Sequence, residues 1–357
     1  MGQILGMSVS QFPLLRMKPA DMTNILKGLM RTGWRDQPGY KDPSNWPPLM
    51  RKDWGDDDGL ATVARAQAHQ IEQFRTLRAA LEAFAPDCIV MLYRDMGEPW
   101  SSGTGEPGSF RPQYWMHGQE AVTIRPYQSF AGGSNYWDAD PDIEVSVPLH
   151  QGVTAHLIEA LERKSPAPYV CPPNENRCKL GLGHNCIAGI IHLDWDRRRF
   201  ATPVVPIAID PFGFNRARNV EGLSAWDKGE PPPLSPEEAF GLGCSIASAC
   251  RNSPWKVAVV ASNAWSSSQN TARSRGPLHP NDAADRARFA QWQASSFGDW
   301  GKTWSFEEME ENAQWEVLIS IVLAGAMHEA GSKVRYADLA TNWILNANWV
   351  NTIFEPK

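Results

Sequence analysis

No extended run of basic residues occurs in this chain, and its formal net charge is −6 with an isoelectric point near 5.8. Proteins that grip nucleic acid concentrate Lys and Arg on one face, so that partner is not expected. Long hydrophobic runs are missing too. The longest, "VLISIVLAGAM" at 317–327, is too short to cross a bilayer. The first residues, "MGQILGMSVSQFP", lack a basic region and a cleavage-like site, so no secretory leader is expected. Gly6 stands where a myristoylation signal needs Ser or Thr. Six cysteines in 357 residues are too few for a disulfide scaffold, and a reducing, cytoplasmic setting is the expectation. Internal repeats and low-complexity linkers are absent as well. What is abundant is tryptophan, with sixteen, enough to furnish a core and also a pocket or subunit interface. Hydrophobic residues at 42% and charged residues at 21% are ordinary for a globular chain.

The pattern of elements reads as α/β. "ILGMSV" at 4–9, "CIVMLY" at 88–93, "IAGIIHL" at 187–193, "PVVPIAI" at 203–209 and "KVAVVA" at 256–261 are short apolar runs and are predicted as buried strands. Between them lie helical signals. Ile71, Phe74, Leu77, Leu81 and Phe84 recur in steps of three and four and end at Pro86-Asp87. Residues 151–163 predict a short helix. Ser235-Pro236-Glu237-Glu238 is a capping box opening a helix to about Arg251. Ser305 and Glu308 predict a second helix to about Ala330. Strands apolar on both faces, interleaved with helices, imply a three-layer αβα sandwich around a mostly parallel or mixed sheet. A single domain over 1–357 is expected, with irregular insertions at 36–58 and 101–148.

Glu316 is the sharpest chemical signal. It is the only charged residue between Ala313 and Met327, and in a continuous helix it shares a face with Met309, Ala313, Ser320 and Met327. A carboxylate there must find a cation, a metal or a proton. "MLYRDMGEPW" (91–100) ends a strand, where α/β proteins hold ligands, and supplies Tyr93, Arg94, Asp95 and Met96. His184 precedes the run 187–193. Cys171, Cys178, His184 and Cys186 cluster in sequence, but their spacing is not that of a zinc finger or ribbon. "GTGEPG" at 103–108 matches a dinucleotide glycine pattern in form only, because no helix follows it. "AWSSSQN" at 264–270 offers serines without a nucleophile elbow.

Taken in order, six segments resemble the class III extradiol ring-cleavage dioxygenases, of the protocatechuate 4,5-dioxygenase β-subunit type. They are "ILGMSVSQFPLL", "FRTLRAALEAFAPDCIVMLYRDMGEPW", "GLGHNCIAGIIHLDWDRRRFATPVVPIAID", "PEEAFGLGCSIASACRNSPWKVAVVASNAWSSS", "QWEVLISIVLAGAM" and "NWILNANWVNTIFEP". The resemblance implies a fold in which two histidines and a glutamate hold non-haem Fe(II), with a further histidine as acid–base. Carried over residue by residue, the metal histidines fall on Gln11 and Met96, and the acid–base histidine falls on Ser267. The metal glutamate falls on Glu316, and a histidine that touches substrate oxygens falls on His184.

A thioether and a neutral amide are poor ligands for Fe(II), and a serine hydroxyl has no pKa near neutrality. No metal cofactor is therefore expected from the residues themselves. Three readings are open. The chain is a non-catalytic homologue or subunit pairing with an active dioxygenase relative. Alternatively its crevice is repurposed for an iron-free reaction on, or binding of, a small aromatic acid, with Arg94 as anion anchor, Glu316, Asp95 and His184 as the polar groups and Tyr93 beside them. Or it is an active dioxygenase with ligands drawn from Asp95, His184 and Glu316. A homo-oligomer or hetero-oligomer is expected. Beneath all three, Arg94 and Glu316 could simply neutralise each other.

Overall fold

The structure is a computed structural model that describes residues 1–31, 39, 42–94, 113–129, 132–164, 166–171, 182–211, 233–268 and 279–357. The calls on Asp95, Met96, Cys178 and the 103–108 glycine pattern lie outside the described residues.

The strands are β1 (Gln3–Val9), β2 (Cys88–Arg94), β3 (Tyr114–His117), β4 (Ala121–Ile124), β5 (Val145–Pro148), β6 (Tyr169–Cys171), β7 (Val204–Ile209), β8 (Lys256–Ser262), β9 (Val334–Ala340) and β10 (Trp349–Phe354). The helices are α1 (Pro19–Arg31), α2 (Pro48–Trp54), α3 (Leu60–Phe84), α4 (Gln151–Leu161), α5 (His184–Leu193), α6 (Pro236–Arg251), α7 (Asp282–Gln293), α8 (Trp300–Thr303), α9 (Phe306–Glu311) and α10 (Val317–Ala330). One eight-stranded sheet runs in the order β6-β3-β7-β2-β8-β1-β10-β9, and β4 and β5 form a separate hairpin pair. Its centre, β7-β2-β8-β1, is parallel. β10 and β9 continue one side and β3 the other, all through antiparallel pairings.

The layers follow from alternation along the strands. On β2, Ile89, Met91 and Tyr93 join a core with Phe74 and Leu77 of α3 and Ile190 and Ile191 of α5. Cys88, Val90 and Leu92 join a second core with Ile246 of α6 and Leu318, Ile321 and Val322 of α10. β8 divides the same way, with Ala258 and Val260 on one side and Val257, Val259 and Ala261 on the other. A mixed sheet flanked by helices on both faces is the expected αβα arrangement.

Several expectations need correction. Residues 187–193 are helical and lie within α5, not a strand. A run apolar on every side satisfies a buried helix as well as a buried strand, and periodicity does not separate them. The helix expected over 305–330 is two helices. Ser305 caps α9 through its contact with the Glu308 N–H at 3.2 Å. The chain then breaks at Ala313, whose φ of 57° is left-handed, and restarts with Glu316 as the residue before α10. The side chains flanking the break bond outward: Asn281 Nδ2 donates to Asn312 Oδ1 at 2.8 Å, and Gln314 Nε2 donates to Asp285 Oδ1 at 2.7 Å. The insertions are not wholly irregular either, because α2 falls within 36–58 and β3, β4 and β5 fall within 101–148. β9 and β10 were not anticipated as strands. The Ser235 capping box is present as read.

Candidate functional site

The carboxyl ends of the parallel strands bring four distant segments together. Gln11 follows β1, Arg94 closes β2, Asn263 and Ala264 follow β8, and Glu316 precedes α10. Loops leaving parallel strands on this edge converge, which is why α/β folds place their polar groups there. Arg94 and Glu316 form a salt bridge from Arg94 Nη1 to Glu316 Oε1. Their side chains are 7% and 1% exposed, so the pair is held out of water. The other carboxylate oxygen, Oε2, accepts from Gln11 Nε2 at 2.8 Å and from the Ala264 N–H at 2.9 Å. Asn263 Nδ2 donates to the Glu316 carbonyl at 3.1 Å and to Ser320 Oγ at 2.9 Å, fixing the start of α10. Asn185 Nδ2 donates to the Arg94 carbonyl at 3.2 Å, and Ser262 Oγ donates to the Asn185 carbonyl at 2.9 Å. Both oxygens of this buried carboxylate are thus hydrogen-bonded by the protein itself, one of them by a guanidinium.

The structure therefore joins Gln11, Arg94 and Glu316, although Gln11 and Glu316 are 305 positions apart. His184 opens α5 and its side chain is exposed. The buried member of that stretch is its neighbour Asn185. Tyr93 packs in the α3–α5 core rather than on the Arg94 side of β2. Ser267 is buried, its N–H donates to the Ala313 carbonyl at 2.9 Å, and it bridges to Ala347. Sequence reasoning missed Asn185 and the Ala264 N–H. The first was overshadowed by the histidine beside it, and the second is a backbone group that carries no residue signature.

Next to Ser267 lies a second polar centre. Asp285 is fully buried and accepts from Ser266 Oγ at 2.5 Å, Gln314 Nε2 at 2.7 Å and Asn348 Nδ2 at 2.8 Å. Burial raises its pKa, and these donors work against that. Ser266 Oγ in turn accepts from the Asn281 N–H at 2.9 Å. This hydroxyl is locked into a network that ties the end of β8 to the start of α7, which is a structural arrangement rather than that of a nucleophile.

Fe(II) does not fit the residues described here. Of Gln11, Arg94, Asn263 and Glu316, only Glu316 is an anionic donor, and it is engaged by Arg94, Gln11 and Ala264. Gln11 turns its N–H₂, not its carbonyl, toward the carboxylate. Among the described residues no group of three His, Cys, Asp or Glu side chains is arranged to hold a metal ion. Cys171 is disulfide-bonded, which removes its thiolate from the 171–186 cluster. A groove of about 580 Å³, lined by Tyr114, Lys164, Leu234, Ser235, Glu238 and Leu242 among others, shares no residue with the Glu316 constellation. Among the described residues no helix is long and apolar enough to cross a membrane. The chain matches no family model and no curated protein.

Proposed function

We propose that this chain is a metal-free, non-catalytic protein on a dioxygenase-like αβα scaffold, acting as a homologue or partner subunit of an active extradiol dioxygenase. The observation that carries the reading is the state of Glu316. It is the one residue of the family's iron set that this sequence retains, and Arg94 stands against it where a metal's charge would be needed. The Arg94–Glu316 pair also counts against the aromatic-acid reading, because a guanidinium committed to a buried carboxylate is a poor anchor for a second anion. An active site drawn from Asp95, His184 and Glu316 is weakened by the exposure of His184 at the start of α5. The test is anaerobic loading with Fe(II), removal of excess metal, and O₂ uptake with protocatechuate, gallate and a panel of catechols. The expected result is no substrate-dependent O₂ consumption. Sustained turnover with any catechol would overturn the proposal.

A further inference from the structure

We infer that the groove between the end of α4 and the start of α6 binds a primary ammonium group carried on an apolar body. The inference goes beyond the reading above and does not depend on it, because the groove shares no residue with the Glu316 constellation.

Space comes first. The groove holds about 580 Å³, within the usual range for small-molecule sites. Its floor is apolar: Leu161, Leu234, Leu242 and Tyr114 line it and belong also to the second core. Gly241 of α6 lines it too, and a Cβ added there would meet nothing within 4 Å. The open volume therefore reaches the helix backbone itself.

Hydrogen-bonding capacity decides what kind of ligand fits. Each hydroxyl among the lining residues has its O–H committed within the protein. Tyr114 Oη donates to the Pro166 carbonyl at 3.0 Å, Ser245 Oγ to the Gly241 carbonyl at 2.9 Å, and Ser235 Oγ to Glu238 Oε2 at 2.9 Å. What the Tyr114 and Ser245 oxygens still offer is lone pairs. The capping box engages Glu238 through Oε2. Glu237 makes no side-chain hydrogen bond or ion pair among the described residues, and neither does Lys164. Lys164 is thus the one lining side chain with donor hydrogens to spare, and no ion pair joins it to either glutamate.

Charge points the same way. Two lining carboxylates against one lining ammonium leave one negative charge over. A primary ammonium brings one positive charge and three donors to a wall of acceptors. A carboxylate would meet Lys164 alone and be repelled by both glutamates, and a neutral molecule would leave the surplus charge in place. Glu237, Glu238 and Lys164 are exposed, so screening limits what the charges contribute. They set the preference, and burial of the apolar body supplies the rest.

The test melts the full chain with increasing phenethylammonium chloride. Phenethyl alcohol, sodium hydrocinnamate and ammonium chloride serve as comparisons at matched ionic strength. Phenethylammonium should raise Tm along a saturable curve, and more than any comparison does. Gly241→Leu extends a side chain into the open space and improves helix propensity, so it should fold and no longer respond. Glu237→Gln/Glu238→Gln keeps a capping-box residue and should lose the preference for the ammonium over the alcohol. The inference is overturned by the absence of a saturable rise in the wild type, or by an equal rise with the alcohol or with hydrocinnamate. A rise that survives in Gly241→Leu, or an ammonium preference that survives in the double glutamine variant, also overturns it. If one variant does not fold, the other alone decides.

Discussion

Two histidines are sealed into the protein in neutral form. His192 is stacked on Phe74 with centroids 4.3 Å apart, and its Nδ1 lies 2.6 Å from the Ser10 carbonyl, one residue before Gln11. Burial pushes its pKa down to about 3, with the Arg16 charge adding to that and the Ser10 hydrogen bond opposing it. Burial likewise holds His117 at about 4. In the unfolded chain both protonate near the ordinary value of about 6.5. Below that pH the unfolded state takes up protons that the folded state refuses. Stability is therefore lost as pH falls toward the folded values, at about 1.4 kcal/mol per pH unit for each histidine. Asp285 acts with the opposite sign. Its raised pKa contributes stability at low pH that is lost as pH rises through the folded value. His192→Phe keeps an aromatic ring against Phe74 and removes one of the two acid-sensitive groups. Between about pH 6 and pH 5 its urea-measured stability should fall by about 1.4 kcal/mol less than that of the wild type. Parallel acid slopes would show that His192 is not the neutral group described here. At this scale the sequence marked Arg94 and Glu316, because a lone charge in an apolar run and a strand-end arginine are visible in one dimension, whereas Gln11 was singled out only through the family resemblance. His192 carried no such mark, being one polar residue in "IAGIIHL".

Helices α6 and α10 cross with their backbones in close approach. A Cβ at Gly243 would lie 1.8 Å from the Val322 carbonyl oxygen, and one at Gly325 would lie 2.0 Å from the Phe240 carbonyl oxygen. Each glycine therefore admits the backbone of the other helix, and no side chain can move aside to make room. Gly325→Ala should cost about 1–3 kcal/mol or more, the usual range for overpacking, despite alanine's better helix propensity. A urea midpoint unchanged from the wild type would contradict so close a crossing. Local signals gave the α6 start correctly, since a capping box is short-range chemistry. They failed at the break near Ala313, where the chain turns because Asn312 and Gln314 reach partners on or near α7 that are far away in sequence. They failed also at α5, because a segment buried on all sides has lost the periodicity that would identify it.

At the scale of the molecule, the sheet is closed by the end of the chain. β10 lies against β1, with Met7 opposite Ile353, so the first strand is buried between the last strand and β8. The alternating pattern of helices and strands made the layered fold readable. The antiparallel extensions were not readable, because β9, "VRYADLA", is a half-buried edge strand with charged residues, and "WVNTIF" carries Asn351 to bond Gln70 of α3. The same long-range assembly creates the candidate site, in which Arg94 and Glu316 are 222 positions apart. The central claim is that Glu316 is committed to Arg94, and a double-mutant cycle measures that directly. Arg94→Met and Glu316→Gln should each cost about 3–5 kcal/mol in urea unfolding, because each strands a buried partner. The double variant, which leaves neither charge unpaired, should cost clearly less than the sum of the two, with a coupling above about 1.5 kcal/mol. Losses that add without coupling would show that the two side chains do not depend on each other, and the account of the site would fail.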